Sequence, residues 1–545
     1  VVEFVEDLIP KMRIVDDLGQ NAFLVASDEE IARFKDLSQK LALWCGFALQ
    51  GFPSLGLKIE DLTLGAVALG VKIGGDVNQY LYFLWHLVNM IRLRGFSGKV
   101  PLVKNLVESI NGDEVVKAWK LMILSTVASI VMNVEELKKL KNEAEDLPKG
   151  LRDFVKVRIN LRMAEVYLEI DSRRALEVLK ENVEILNNLT IDNVDLKLFE
   201  VLSGSPMKKA ELSLKFLRSL THYNLAMALM DLGELEEAIR NFKTAEKIYD
   251  KLSFANALKC KNLIEKINFI TNGKADFDGI LKKAEEKIVL INPLDYSCYI
   301  AESVIYRAFE GLKFEEKVMI PEIWRITDGY LAMLGFGDVD KAIKSLEEFE
   351  VEVAFVYKLD EILPEIMKAI QEREVDGIKE IEGFDDQTLG FFEEFFKSFV
   401  VGVLMKCHER LKRGESIDEI AKGLDKDAIE KLHNEISKHI QLDLDELKDV
   451  IDLLFDLANE VIKIFKGIAE VILNDEPITS QQALARILRI YIIGKLEEAK
   501  TLAKLVAKKY GPLLSKLFKE LANALEIKDE EKIKVSFLKL FYIHF

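Results

Sequence analysis

The amino-acid sequence predicts an all-α fold, built as antiparallel helix hairpins from end to end, and three observations carry that expectation. Turn-forming residues are few: 29 Gly and 10 Pro in 545 residues, roughly 7% against an average near 12%. From Ser27 onward apolar residues recur at helical spacing, with almost none of the alternation that marks a strand. The breaks, among them Gly95–Pro101, Asn111-Gly112, Pro148–Gly150, Ser203–Pro206, Asn272-Gly273, Gly335–Gly337 and Gly511-Pro512, leave segments of roughly 12 to 25 residues, the length of paired helices.

Along the chain, Met12–Ala26 comes first. Two short apolar runs flank a Gly-containing turn there, which allows a small β-hairpin. Ser27 then caps a helix, with Glu30 three residues on completing a capping box. The remaining segments group into an N-terminal helical domain (1–150), repeat-like helices (151–350), a further helical domain (351–476) and C-terminal hairpins (477–545). Hydrophobic residues make up 49% and charged residues 31%, enough apolar surface for a sizeable core. No segment is low-complexity or composed like a disordered linker.

Charge and cysteine usage narrow the class of function. With 75 basic and 92 acidic residues the net charge is −17, which argues against a general nucleic-acid binder, because affinity for phosphate backbones needs clustered Lys and Arg. Cys45, Cys260, Cys298 and Cys407 lie far apart with no CxxC pair, so neither a disulfide framework nor a zinc knuckle is expected. The start is acidic, unlike a secretory signal. The longest uncharged stretch, Leu41–Leu57, contains Gly51 and Pro53 and falls short of a bilayer span. The expectation is a cytoplasmic protein with no membrane partner. Abundant Lys and Glu with only nine Gln give a thermophile-like composition.

One local pattern repeats. Gly233-Glu-Leu-Glu-Glu-Ala-Ile239 returns as Gly337-Asp-Val-Asp-Lys-Ala-Ile343 and Gly494-Lys-Leu-Glu-Glu-Ala-Lys500, with a weaker version at Asp171–Leu176. A glycine ends one helix in a left-handed cap, acidic residues open the next, and a small Ala permits close approach of the two. Each copy therefore predicts a tight helical hairpin.

Around Gly233 the match extends to residues 219–252 and resembles a tetratricopeptide repeat. Leu225 and Ala226 occupy the large and small packing positions of that family's first helix. Ala238, Phe242 and Ala245 match the small, aromatic and small positions of its second. His222, Leu229 and Asp250 depart from the usual Trp, Tyr and Pro. The resemblance implies an irregular superhelix, since the Ala positions 175, 238, 342 and 499 keep no fixed period of 34. It also implies a concave binding face lined by the first helix of the repeat: Leu220, Tyr223, Asn224, Met227, Met230 and Asp231. Tyr223 and Met227 stand where a basic clamp for a C-terminal carboxylate would carry Lys and Asn. Tyr, Asn and two Met residues suit an adaptable peptide-binding wall.

Signals for chemistry are weak by comparison. No Walker A loop, dinucleotide fingerprint or G-x-S-x-G occurs. Glu430 and His433 give one ExxH spacing, half of a di-iron site, without a second. Cys407 and His408 point about 100° apart on a helix. These histidines, and acidic runs such as Glu347-Glu348 and Asp385-Asp386, read as solvated helix faces, so no catalytic residue, metal or cofactor is expected. Residues 416–436 faintly resemble a helix-turn-helix, with Ser416 and Glu419 as a capping box, but their acidity favours an ordinary hairpin. The stripe Phe391, Phe392, Phe395, Phe396 and Phe399 reads as core, and so does the aromatic tail Phe541–Phe545. The sequence thus points to a non-catalytic scaffold for a protein or peptide partner. Its rivals are an all-helical enzyme or ligand-binding protein with an inter-domain site, and a regulator using 416–436.

Overall fold

A computed structural model describes residues 100–200, 205–291, 293–312, 321–355, 415–423 and 448–544, with shorter stretches at 13–14, 24–25, within 77–89 and within 400–411. The fold is all-α. β1 (Arg13–Ile14) and β2 (Leu24–Val25) form a two-residue antiparallel ladder, Arg13 opposite Val25, and the rest of 12–26 lies outside the described residues.

The chain divides into two compact units, one of residues 1–267 with 511–513, the other of 268–510 with 514–545. The sequence boundaries at 150, 350 and 476 fall inside these units.

The first unit is a run of hairpins: α1 (Val100–Ser109), α2 (Glu114–Ile130), α3 (Val134–Glu143), α4 (Lys149–Ile170), α5 (Ser172–Asn188), α6 (Pro206–Asp231), α7 (Leu235–Tyr249) and the start of α8 (Phe254–Asn272). Caps set the starts. Asp113 accepts from the Val115 and Val116 amides, both at 3.0 Å, Asn133 from Glu136 at 3.0 Å and Asp171 from Arg173 at 3.1 Å, each satisfying amides that a helix start leaves unpaired. α4 lies at the centre of the unit. Its residues 157–164 are buried without interruption, the mark of a helix packed on all sides.

The second unit continues with α9 (Phe277–Glu286), α10 (Pro293–Phe309), α11 (Pro321–Met333), α12 (residues 339–355), the single turn α13 (Ile417–Ile420), α14 (Lys448–Asn474), α15 (Ser480–Ile492), α16 (Leu496–Val506), α17 (Pro512–Ile527) and α18 (Glu530–His544). One core gathers Val351, Phe355, Leu404, Cys407, Ile420, Ile462 and Phe465. A second is aromatic, where the Tyr542 ring stacks on Phe277 at 4.4 Å and meets the edge of Phe269 at 4.8 Å. Buried hydroxyls there find carbonyls: Tyr330 donates to Phe537 O at 3.0 Å and Tyr542 to Glu302 O at 3.2 Å. The tail predicted to pack is buried at Phe541 and Tyr542.

Two sequence expectations are corrected here. Glu348 lies buried on Arg325 instead of on a solvated face. His408 is buried with its ring stacked on Phe355 at 5.2 Å, beside Cys407 of the same core. Ser416 and Glu419 do form their capping box. Residues 424–447, the Phe391–Phe399 stripe and Asp385-Asp386 lie outside the described residues.

Candidate functional site

The face implied by the repeat lies on α6. Ser205 precedes this helix and Pro206 opens it, where a missing amide hydrogen costs nothing. Its far end closes on Gly233 at φ +81°. The Gly233 amide donates to Met230 O at 2.9 Å and the Glu234 amide to Leu229 O at 2.8 Å, the paired bonds of a left-handed helix stop. α7 then folds back along α6. Ala226, Ala238, Phe242 and Ala245 are fully buried where the helices meet. Tyr223 presents its ring to the edge of Phe242 at 5.7 Å and Phe216 to Tyr249 at 6.0 Å. His222 Nδ1 lies 2.9 Å from Asn241 Oδ1. The Asn241 amide nitrogen is already donated to Glu237 O, so its oxygen accepts and the histidine donates.

The preceding hairpin lies alongside. Arg158 of α4 donates to Ser213 of α6 at 3.3 Å, and the Ser172 hydroxyl at the start of α5 donates to Asp231 at the end of α6. These two contacts place the turns of both hairpins at the same end.

The six residues are brought onto one helix but not equally to its surface. Leu220, Asn224 and Met230 are buried at 7, 7 and 6% exposure, while Tyr223, Met227 and Asp231 are half-buried. Tyr223 is engaged with Phe242 and Asp231 with Ser172. One turn apart, Thr221 Oγ1 and Asn224 Nδ2 are buried without a hydrogen-bond partner, an uncommon cost for a folded chain. What the face offers chemically is apolar contact at Met227 and Tyr223, since the Asn224 amide nitrogen is itself buried.

Other polar constellations escaped the sequence reading. The Arg158 guanidinium lies over Trp85 at 5.1 Å and Phe154 at 5.5 Å, a cation on aromatic faces, in a crevice with Trp119, Met122 and Leu198 too tight for a water molecule. In the second unit, Glu350 of α12 is fully buried and accepts from Arg486 Nε at 2.7 Å and Arg489 Nε at 2.9 Å of α15. Arg489 also reaches Glu347 at 3.0 Å. On the neighbouring face of α12, Arg325 of α11 meets Glu352 at 2.8 Å and Glu348 at 3.5 Å. Burial raises the Glu348 carboxyl above its ordinary value, against the pull of Arg325. The available signal was spacing: Glu347/Glu350 and Arg486/Arg489 are both i, i+3 pairs, and Glu348/Glu352 is i, i+4.

Burial pushes the thiols of Cys260 and Cys407 up to about 12, far from a reactive thiolate. Among the described residues no group of three or more His, Cys, Asp or Glu could hold a metal ion, and no helix is long and apolar enough to cross a membrane.

No family model matches the chain, and no solved structure matches it. It is similar to an uncharacterised protein of Methanocaldococcus jannaschii, 40% identical over 72 residues, which span 11% of this chain and 74% of that protein.

Proposed function

The chain belongs to one family with the M. jannaschii protein, and on the evidence of its own helices we propose that it is a tetratricopeptide-like interaction protein. In this reading its hairpins stack into an irregular superhelix that works in the cytoplasm and offers the α6 face to a peptide or protein. One observation carries the reading. The three copies of the repeated motif share a geometry: Gly233, Gly337 and Gly494 all take positive φ, and Ala238, Ala342 and Ala499 are all buried at 0 to 1% exposure. A left-handed stop followed by a small residue at a helix crossing is what a stackable hairpin needs.

The α6 face would bind through Met227 and Tyr223, the half-buried apolar side chains of the helix. The side chains of Leu220, Met230 and Asp231 would hold the helix rather than touch the partner.

Affinity capture from the native host tests this. The full chain and a Tyr223→Ala/Met227→Glu variant of unchanged helicity are used as baits. A partner recovered with the first and lost with the second supports the reading. Identical recovery with both removes α6 as the binding face.

A further inference from the structure

The C-terminal hairpin of α16 and α17 has a charge opposite to the rest of the molecule. From the start of α16 to the end of α17, residues 496–527 hold six Lys, four Glu and no Arg or Asp, a net +2 within a chain of −17. Ser515 donates to Ala507 O at 2.6 Å and Lys504 pairs with Glu526 at 2.7 Å, which lays the two helices side by side. Their outer surface exposes Lys504, Lys508 and Lys509 from α16 and its following turn, and Lys516 and Lys519 from α17. Lys509 pairs with Glu476 at 2.6 Å, whereas Lys508, Lys516 and Lys519 join no ion pair among the described residues. Leu505, in the last turn of α16, stands 41% exposed, and Lys508 and Lys509 follow it in the turn.

We propose that this face docks a short acidic amphipathic segment of a partner protein, its carboxylates on the lysines and an apolar side chain on Leu505. The occupant follows from charge complementarity. An acidic molecule repels acidic partners everywhere except at a local positive region, which both concentrates and orients them. A long nucleic acid would carry its phosphates past the patch onto surface of like charge. The patch holds lysines only, point charges without the planar fork that reads bases. A solvent-exposed leucine suits a partner that brings apolar groups along with its carboxylates. None of these residues is among the six of the α6 face.

The test uses the full chain and fluorescence anisotropy. The probes are a labelled 18-residue peptide with Glu and Leu at helical spacing, the same peptide with Lys for Glu, and a 20-nucleotide uridine RNA. The acidic peptide should bind saturably and lose affinity as salt rises, while the Lys peptide should not bind. Lys508→Glu/Lys516→Glu/Lys519→Glu should raise Kd by on the order of tenfold or more, and Leu505→Ser by roughly threefold with the salt dependence kept. Should the triple variant fail to fold, Lys508→Gln/Lys516→Gln/Lys519→Gln provides the same reading. No saturable binding of the acidic peptide, or binding indifferent to these substitutions, overturns the proposal. So does RNA that binds more tightly than the peptide through the same lysines, because the patch then serves a nucleic acid.

Discussion

Met132 and Lys528 occupy the left-handed backbone position that Gly233 and Gly494 occupy in other turns, at φ +52° and +55°. A side chain there meets the backbone and costs roughly 1 kcal/mol. At Gly494 an added Cβ would touch nothing within 4 Å, so Gly494→Ala isolates that conformational cost. A loss of about 1 kcal/mol is expected in denaturant titrations, while Lys528→Gly should raise the melting temperature. His544 provides a second residue-scale case. Its Nδ1–H donates to Leu540 O at 2.7 Å and its Nε2 accepts from the Ser480 hydroxyl at 2.8 Å. Burial outweighs the Leu540 bond and lowers its pKa from 6.5 to about 4. Below pH 6.5 the unfolded chain takes up a proton that the folded imidazole refuses. The stabilisation is therefore complete above pH 6.5 and lost as pH falls toward 4. In His544→Asn, urea midpoints at pH 7 and pH 4.5 should differ by less than in the parent.

The α6–α7 hairpin separates two effects at the scale of elements. Ala238 is fully buried at the crossing, so Ala238→Leu forces extra methylenes into a closed contact and should cost about 1–3 kcal/mol. Met227 is half-buried, so Met227→Ala should cost less than the roughly 2–5 kcal/mol of a core truncation. Denaturation midpoints of the two variants check both. An Ala238→Leu protein as stable as the parent would remove the crossing from the account. A Met227→Ala loss of core size would mean that α6 has no open face. The same hairpin shows how far sequence reasoning reaches. Gly233, Ala238 and Phe242 were legible because each satisfies a local requirement of a turn or a crossing. The burial of Leu220, Asn224 and Met230 was not, because which faces of a helix are covered depends on how neighbouring hairpins pack, and the local pattern does not record that.

Across the whole chain, the ion pairs between α12 and α15 join residues 136 to 142 positions apart. Removing one member leaves the others charged and buried. Glu350→Gln should therefore destabilise by about 3–5 kcal/mol, and replacing Glu350, Arg486 and Arg489 together by apolar residues should recover much of that. Equilibrium unfolding of the single and triple variants measures both, and a mild Glu350→Gln would show that the pairing contributes little. By itself the sequence determined the all-α class, the hairpin turns, the small residues at the crossings and the buried aromatic tail. Each of these depends on periodicity, a cap or a glycine, and such signals act over a few residues. Only the tertiary structure decided which polar side chains are interior. Glu348 and His408 have the composition of a solvated face, and they are buried because Arg325 and Phe355 arrive from other helices. Local pattern carries no record of such a partner, since charge is tolerated inside a protein only where distant chain supplies its complement.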